Sequence, residues 1–230
     1  MGEIAILMAA GLGTRMRPLT EHTPKPLICV HGKAMIETVI EGLLTRPVDE
    51  IYIITGYLGE QFAPLCEKYS NVHVIPNPDY MVKNNISSIY AAREILGSAD
   101  CFICESDLYV ADASIFQKEL KHSCYFGRMQ QGYSEDWVFE REGEFITRVG
   151  KGGSDTYNMV GVSYFKQKDA KILRTEIEKA YAVPEKSDWF WDDVVNQNLD
   201  KLHLTIEPVE AGQLIEIDTV EELNRINESL

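Results

Sequence analysis

The amino-acid sequence predicts an α/β fold built on a doubly wound, mostly parallel β-sheet with Rossmann-like alternation of strands and helices. Two observations support this prediction. Apolar runs of strand length alternate with stretches of helical periodicity through residue 110, which is typical of a parallel sheet covered by helices. The first apolar run, residues 3–8, leads directly into small residues and glycines, as a central strand does when it ends in a ligand-binding loop.

The first half of the chain contains four apolar runs that are short enough for buried strands. They predict strands at residues 3–8, 51–55, 72–75 and 101–104. Between these runs, helical periodicity predicts helices at residues 34–45, 58–69 and 84–97.

The order of elements changes beyond residue 120, where shorter alternating patterns appear. We expect strands at residues 122–131, 136–141, 145–149 and 157–165, then helices at 167–182 and 188–199. A last strand near residues 213–218 precedes a helix that Thr219-x-x-Glu222 opens as a capping box. Because no linker interrupts the 230 residues, we expect one domain over 1–230, with a nucleotide-binding half (1–120) and a small acceptor-binding lobe (121–230).

The charge balance of the chain restricts its partners. Lys and Arg number 22 against 36 Asp and Glu, which gives a net charge of −14. Such a surface repels nucleic acid and anionic lipid, so a small-molecule ligand is favoured over nucleic acid or membrane. The mostly apolar stretch from Ile4 to Gly13 is too short to span a membrane, and the five scattered cysteines do not suggest a disulfide framework; we therefore expect a cytoplasmic protein.

The loop after the first strand has the composition of a phosphate-binding site. Glycines and small residues let exposed backbone amides form an anion-binding concavity, although a plain tight turn would also use them. Arg15 can offer a fork of donors to phosphate oxygens, and Lys25, held between Pro24 and Pro26, can present a fixed positive charge. The candidate phosphate-binding residues are Ala9, Ala10, Gly11, Gly13, Thr14, Arg15 and Lys25.

This string of residues resembles the signature of the nucleotidyltransferase family that includes the sugar-1-phosphate nucleotidylyltransferases. The likeness covers the segment from Ala9 to Pro18 and the Pro-Lys-Pro that follows it. The resemblance implies a doubly wound α/β fold, a loop that wraps a nucleoside triphosphate, and catalytic roles for Arg15 and Lys25 at the phosphates.

Three carboxylates are candidate metal ligands. Asp107 follows the strand that ends near Glu105, where open α/β sheets bind their ligands, and Glu216 and Asp218 are two apart on a predicted strand. Mg²⁺ is the ion expected to bridge such carboxylates and substrate phosphates. Asp107 could instead be a solvated turn residue and the pair an exposed edge strand. The family resemblance assigns metal binding to Asp107 and Asp218, and less directly to Glu216.

Two aromatic and acidic segments in the second half are candidates for acceptor binding. Asp136 and Trp137 lie on a predicted strand, and Asp188, Trp191 and Asp192 would share one face of a predicted helix. Aromatic rings near carboxylates suit a quaternary ammonium, since each ring face supplies roughly 0.5–2 kcal/mol of cation–π attraction. The tryptophans could equally well fill the core.

The chain is also similar, along nearly its entire length, to the bacterial CTP:phosphocholine cytidylyltransferases. The likeness rests on segments 84–90 and 105–107, on the Asp136-Trp137 and Trp191-Asp192 pairs, and on Glu216-Ile217-Asp218. It implies formation of CDP-choline and pyrophosphate from CTP and phosphocholine with Mg²⁺. It also implies a base pocket made by Ala9, Ala10, Asn85 and Ser88, although residues 84–88 could simply cap a helix. Lys151-Gly152-Gly153 departs from the pattern; a lysine there could suit an acceptor with more negative charge.

Several functional alternatives stay open at this point. The acceptor could be 2-aminoethylphosphonate or phosphoethanolamine, for which the acidic residues would matter more than the rings. The chain could also be a sugar-1-phosphate nucleotidylyltransferase or a non-catalytic nucleotide-binding domain. The sequence defines neither the oligomeric state nor whether the chain belongs to a longer fused polypeptide.

Overall fold

The computed structural model describes residues 2–228, and the predicted domain limits of 1–230 therefore include three residues outside the described part. The first half contains β1 (Glu3–Ala9), β2 (Cys29–Val30), β3 (Lys33–Ala34), α1 (Met35–Leu43), β4 (Val48–Thr55), α2 (Ala63–Lys68), β5 (Val72–Pro76), α3 (Ile86–Ala91), β6 (Asp100–Glu105) and β7 (Leu108–Val110). The second half contains β8 (Cys124–Glu142), β9 (Phe145–Phe165), α4 (Gln167–Tyr181), α5 (Trp191–Asn196), β10 (Thr205–Pro208), β11 (Leu214–Glu216) and α6 (Val220–Asn227).

The main sheet has seven strands in the order β10-β8-β9-β6-β1-β4-β5. β1 pairs in parallel with β4 on one side and with β6 on the other, and β4 pairs in parallel with β5. Only β9 runs against its neighbours among these strands, because it is antiparallel to both β6 and β8. The predicted mostly parallel sheet with a central first strand is confirmed.

The side chains of β1 show how the sequence divides the core between the two faces of the sheet. Ala5 and Leu7 are buried with α1 residues such as Val39 on one face. Ile4 and Ile6, which alternate with them, are buried with residues of α3, α4 and α5 on the other. Because successive side chains of a strand point to opposite faces, a continuous apolar run is what a strand covered on both sides requires.

The structure joins the four short strands predicted after residue 120 into the two long strands β8 and β9. Their pairing is interrupted by shifts in register, for example between Gln130 and Tyr133, and Val138 is paired with both Gly150 and Asn158. The predicted gap between the first two short strands therefore corresponds to an irregular part of a continuous ladder, because bulges shift the pairing without ending it.

Three predicted helices begin later than the periodicity indicated. The predicted helix 188–199 begins at Trp191, because the Asp193 carboxylate accepts a hydrogen bond from the Phe190 amide and Phe190 is extended. Asp188 therefore lies outside the helix and does not share a helical face with Trp191, which corrects the sequence-based expectation. The predicted helix 84–97 is regular only as α3, and the 58–69 segment opens with a 3₁₀ turn before α2.

The capping box before α6 is confirmed. The Thr219 hydroxyl accepts from the Glu222 amide at 3.2 Å, and the Glu222 carboxylate accepts from the Thr219 amide at 3.0 Å. Within residues 2–228, no helix has the length and apolar character needed to cross a membrane. The one-domain organisation stays a prediction.

Candidate active site

The loop after β1 and the carboxyl ends of neighbouring strands enclose a cleft of about 250 Å³. Its walls bring together the predicted phosphate-binding loop, the predicted lysine and two of the predicted metal ligands. The lining residues are Met8, Ala9, Gly11, Gly13, Thr14, Arg15, Lys25, Pro26, Ser106, Asp107 and Asp218. Ligand clefts in open α/β sheets lie at this edge.

Gly13 brings the loop close to the lysine. Its φ of 60° lies in the left-handed region, and a Cβ placed there would come within 2.8 Å of the Lys25 Cβ. The Thr20 hydroxyl donates to the Gly13 carbonyl at 2.8 Å and fixes the loop from behind. Only glycine fits both this backbone conformation and this close approach.

Lys25 is the central cation of the cleft. Its Nζ donates to Asp107 Oδ2 at 2.6 Å and to Asp218 Oδ1 at 2.7 Å, and its side chain is only 9% exposed. Burial acts to lower the pKa of Lys25, but the charges and hydrogen bonds of Asp107 and Asp218 outweigh it and hold that pKa above its usual value. Lys25 is therefore positively charged at neutral pH.

Arg15 adds a second positive charge on the open side of the cleft. Its Nη2 donates to Asp218 Oδ1 at 2.7 Å, while 68% of its side chain remains exposed. The guanidinium is therefore held near the cleft but has enough freedom to turn toward a phosphate.

Asp107, Glu216 and Asp218 form a cluster in which one oxygen of each lies within 4.8 Å of the others. The antiparallel pairing of β11 with β7, which places Glu216 opposite Leu108, brings them together. β11 ends at Glu216, so Asp218 lies just beyond the strand rather than on it as predicted. Three carboxylate oxygens at this spacing are the donor set that a hard divalent cation requires.

The pKa of the Glu216 carboxyl is raised to about 7. Loss of hydration is the first cause, the charges of Asp107 and Asp218 add to it, and Lys25 opposes it. Because Glu216 as a residue is exposed, the repulsion among the carboxylates is the better-founded cause. A cation bound between them would remove that repulsion.

Glu105 is a candidate site residue that we did not predict. It ends β6, two residues before Asp107, and a Cβ placed on Gly161 would lie 3.0 Å from its Oε2. Although the residue is half-buried by area, loss of hydration raises the pKa of its carboxyl well above the usual range, and nearby negative charges add to this. Its position at the end of a central parallel strand was the signal in the sequence.

Glu105 also lines a narrow cavity beside the cleft. The cavity lies between the sheet and α5, and it is lined by Met8, Ile103, Glu105, Tyr125, Met159, Gly161, Val162, Ser163 and Trp191. The charge of Asp192 is near enough to raise the pKa of the Glu105 carboxyl. The cavity therefore lies beside the predicted acceptor residue Trp191, and it shares Met8 with the first cleft.

A second cleft adjoins the first and shares Gly11 with it. It has a volume of about 210 Å³ and is lined by Ala10, Gly11, Asn77, Tyr80, Lys83, Asn84, Asn85, Ser87 and Ser88. Three of the four predicted base-binding residues lie here, whereas Ala9 lies in the first cleft. Asn77 was not predicted, yet its amide donates to Ser87 Oγ at 2.9 Å and to Ser88 Oγ at 3.3 Å.

The predicted acceptor residues of α5 are buried. Trp191 is 3% exposed and stacks on Tyr125 with ring centroids 5.7 Å apart. Asp192 accepts from the Tyr125 hydroxyl at 2.9 Å, and burial raises the pKa of its carboxyl to about 7. The Asn85 side chain accepts from the Trp191 amide at 3.0 Å, so α5 is fixed against the second cleft.

The remaining predicted acceptor residues lie nearer to solvent. Trp137 is half-buried and meets Phe190 edge-to-face, with ring centroids 5.3 Å apart. Asp136 and Asp188 are exposed, and the Asp188 carbonyl accepts from the Asn84 amide at 3.0 Å. The tryptophans do not share one open cage: Trp191 is closed off, while Trp137 is paired with Phe190, which we did not predict.

Comparisons with known proteins show which family the chain resembles. The sequence model of a family described as the MobA-like NTP transferase domain matches residues 5–146. A 2-aminoethylphosphonate cytidylyltransferase from Lancefieldella rimae is 54% identical over 95% of this chain and 89% of that protein. A choline-phosphate cytidylyltransferase from Streptococcus pneumoniae is 36% identical over 98% of this chain and 97% of that protein. The solved structure of a CTP:phosphocholine cytidylyltransferase from Streptococcus pneumoniae has a TM-score of 0.91 at 34% identity and covers 99% of each chain.

Proposed function

The chain belongs to the MobA-like NTP transferase family and is a cytidylyltransferase, and from this premise we propose that it transfers the cytidylyl group of CTP to 2-aminoethylphosphonate. The products would be pyrophosphate and the mixed anhydride of CMP with the phosphonate. Phosphocholine, the acceptor that the sequence favoured, is the second candidate. A cytoplasmic location stays a prediction.

The two adjoining clefts suit the two ends of a nucleotide. The first cleft offers loop amides, Arg15 and Lys25 to a triphosphate, and the second offers side-chain amides and hydroxyls to a base. In the reaction, an oxygen of the acceptor phosphonate forms a bond to the α-phosphorus, and the bond from that phosphorus to the pyrophosphate oxygen breaks. The attacking oxygen already carries negative charge, so no general base is required.

Charge neutralisation is the main task that this mechanism leaves to the protein. The Lys25 ammonium would stabilise the negative charge that develops on the triphosphate, and Arg15 can turn toward the leaving pyrophosphate. Asp107, Glu216 and Asp218 would hold Mg²⁺, which when bound supplies positive charge to the phosphates.

The choice of 2-aminoethylphosphonate is supported by the carboxyl groups beside the cleft. Glu105 lies next to the narrow cavity below α5, and Asp192 lies close to it. A primary ammonium donates three hydrogen bonds, and its charge would lower the raised pKa values of these carboxyls and favour their ionised form, whereas a trimethylammonium donates no hydrogen bond. The burial of Trp191 also removes one of the rings expected for a quaternary ammonium. The relative from Lancefieldella rimae, named for this acceptor, supports the same choice.

The deciding experiment measures pyrophosphate release from CTP, UTP, ATP and GTP, each with 2-aminoethylphosphonate, phosphoethanolamine, phosphocholine or glucose 1-phosphate, with and without Mg²⁺. We expect CTP with 2-aminoethylphosphonate to have the highest kcat/KM, with release dependent on Mg²⁺. A higher kcat/KM with phosphocholine would make that acceptor the better choice. Release with no pair would support a non-catalytic nucleotide-binding domain.

The proposed role of Glu105 is tested by Glu105→Gln. We expect this variant to raise the KM for 2-aminoethylphosphonate by at least about tenfold, because one ammonium–carboxylate contact is lost, with little change in the KM for CTP. Glu119→Gln, at an exposed position, is the matched control. An equal change in both KM values would assign Glu105 to the nucleotide or the metal instead.

A further inference from the structure

Lys151, whose Lys-Gly-Gly segment departs from the pattern of the family, lies over the Trp137–Phe190 pair. Lys151 is directly opposite Trp137 in the pairing of β8 with β9. Its Nζ lies 6.0 Å from the centroid of the Trp137 ring and 5.3 Å from that of the Phe190 ring. These distances are within the range of cation–π attraction, so the chain itself supplies a cation to the two rings.

The Trp137–Phe190 pair lies at the start of α5. Phe190 immediately precedes Trp191, whose ring lines the narrow cavity with Glu105. The same segment is hydrogen-bonded to the second cleft through Asn84 and Asn85. A cation at this ring pair therefore lies beside the start of α5, whose first residue lines the narrow cavity.

We propose that Lys151 is a specificity-determining residue: its ammonium fills the aromatic pair and thereby disfavours an acceptor that carries a quaternary ammonium. This inference rests on the proposed function and deepens it. Two cations cannot share the same ring faces without repulsion, although the exposure of Lys151 lets solvent weaken it. A trimethylammonium needs ring faces, whereas a primary ammonium can bind carboxylates and leave the rings to Lys151.

The test compares kcat/KM for phosphocholine and for 2-aminoethylphosphonate, with CTP and Mg²⁺ held constant, in the wild type and in Lys151→Ser. We expect the substitution to raise the ratio of phosphocholine to 2-aminoethylphosphonate by at least about tenfold, which corresponds to about 1.4 kcal/mol. Lys151→Arg keeps the charge over the rings and should keep the wild-type ratio. Lys186→Ser is the matched control, since Lys186 also lies over a tryptophan ring, that of Trp189, at 3.9 Å.

A binding measurement separates this inference from the reaction. Choline chloride is titrated into each protein while tryptophan fluorescence is followed. We expect saturable quenching in Lys151→Ser, weaker quenching in the wild type, and none in Lys151→Ser combined with Trp137→Leu. If neither acceptor reacts with the wild type, the proposed function fails, and choline binding alone decides the role of Lys151.

Three results would overturn the inference. An equal loss of kcat/KM for both acceptors in Lys151→Ser would show that Lys151 binds the phosphonate or phosphate that they share. An equal rise in kcat/KM for phosphocholine in the Lys186→Ser control would show that the effect comes from the loss of any surface positive charge. Unchanged choline binding in Lys151→Ser, with its folding midpoint preserved, would show that the ring pair is not a cation site.

Discussion

A single lysine carries much of the electrostatics of the cleft. Lys25 contacts Asp107 and Asp218, and its charge lowers the otherwise raised pKa values of Glu105 and Glu216. Four carboxyl groups thus depend on one ammonium, so the residue has both a structural and a chemical role. The sequence showed its position between two prolines but not its contacts with the carboxylates, which come from parts of the chain 82 and 193 residues away.

Lys25→Met should reduce kcat/KM by at least about 10²-fold, because the cation that we propose neutralises the transferring phosphate is lost. The variant should also unfold more easily without Mg²⁺ than with it, since Asp107 and Asp218 lose their partner. Steady-state kinetics and chemical denaturation with and without Mg²⁺ check both effects. Lys33→Met, which removes an exposed lysine, is the control; a comparable kinetic loss in that variant would contradict the assignment.

Asp192→Asn should make the protein more stable at neutral pH. The unfolded chain releases this proton near about pH 4, whereas the folded chain keeps it to about pH 7. The folded state therefore loses roughly 3–4 kcal/mol of stability from this group as the pH rises from about 4 to about 7. Asparagine cannot ionise and can still accept from the Tyr125 hydroxyl.

The measurement for Asp192→Asn is the free energy of unfolding by denaturant between pH 5 and pH 8. We expect the wild type to lose stability over this range by more than the variant does. The control is Asp200→Asn, at an exposed position. Asp193→Asn is unsuitable because the Asp193 carboxylate caps α5. Parallel curves for the wild type and Asp192→Asn would show that the carboxyl is ionised and stabilised when folded.

At the scale of elements, the sequence predicted best where local pattern decides the structure. β1, its loop and the alternation of strands and helices follow from apolar runs and glycines, and the start of α6 follows from its capping box. The prediction was less successful where a residue farther along the chain determines where an element begins. The Asp193 carboxylate accepts from the Phe190 amide, so α5 begins at Trp191. With this start, Trp191 is buried and Asp188 lies outside the helix.

Gly13→Ala tests whether the loop must approach Lys25 closely. The added Cβ would lie 2.8 Å from the Lys25 Cβ, so the loop or the lysine must move. We expect kcat/KM to fall roughly 10–10²-fold, because a shift of about 1 Å in a positioning residue has effects of this size. The left-handed backbone should also cost roughly 1–2 kcal/mol of stability.

Gly143→Ala separates backbone strain from displacement of the lysine. Gly143 has a φ of 61°, close to that of Gly13, but a Cβ there meets no atom within 4 Å. It lies in the turn between β8 and β9, away from the cleft. We expect the same loss of stability with normal kcat/KM; equal kinetic losses in both variants would contradict the proposed close approach.

At the scale of the whole molecule, a net charge of −14 surrounds a site that must bind a polyanion. The cleft offsets this negative charge with the cations Lys25 and Arg15 and with a candidate site for a metal cation. The sequence could predict these groups because they lie in short motifs at strand ends. It could not predict the acceptor region, where packing between β8, β9 and α5 decides which rings are buried and which carboxyls are left near the cavity.

Mg²⁺ should stabilise the whole protein, and more so at pH 8 than at pH 6. The pKa of Glu216 is about 7, so its carboxyl is mostly neutral at the lower pH and ionised at the higher. With a dissociation constant of ~1 mM, 10 mM Mg²⁺ should raise the Tm by roughly 3–6 °C at pH 8. Asp218→Asn should lose most of this shift, and NaCl at equal ionic strength is the control. A Mg²⁺-induced rise in Tm that is the same at both pH values would show that Glu216 is not a metal ligand.

The pairing of β11 with β7 has a consequence for biosynthesis. Asp218 reaches the cleft only after the chain has passed through both long strands of the hairpin and α5, and it contacts Arg15 across 203 residues of sequence. A nascent chain that still holds residue 218 inside the ribosome lacks one of the residues that line the cleft. The proposed site is therefore complete only once residue 218 has left the ribosome, and a chain stalled before this point lacks Asp218.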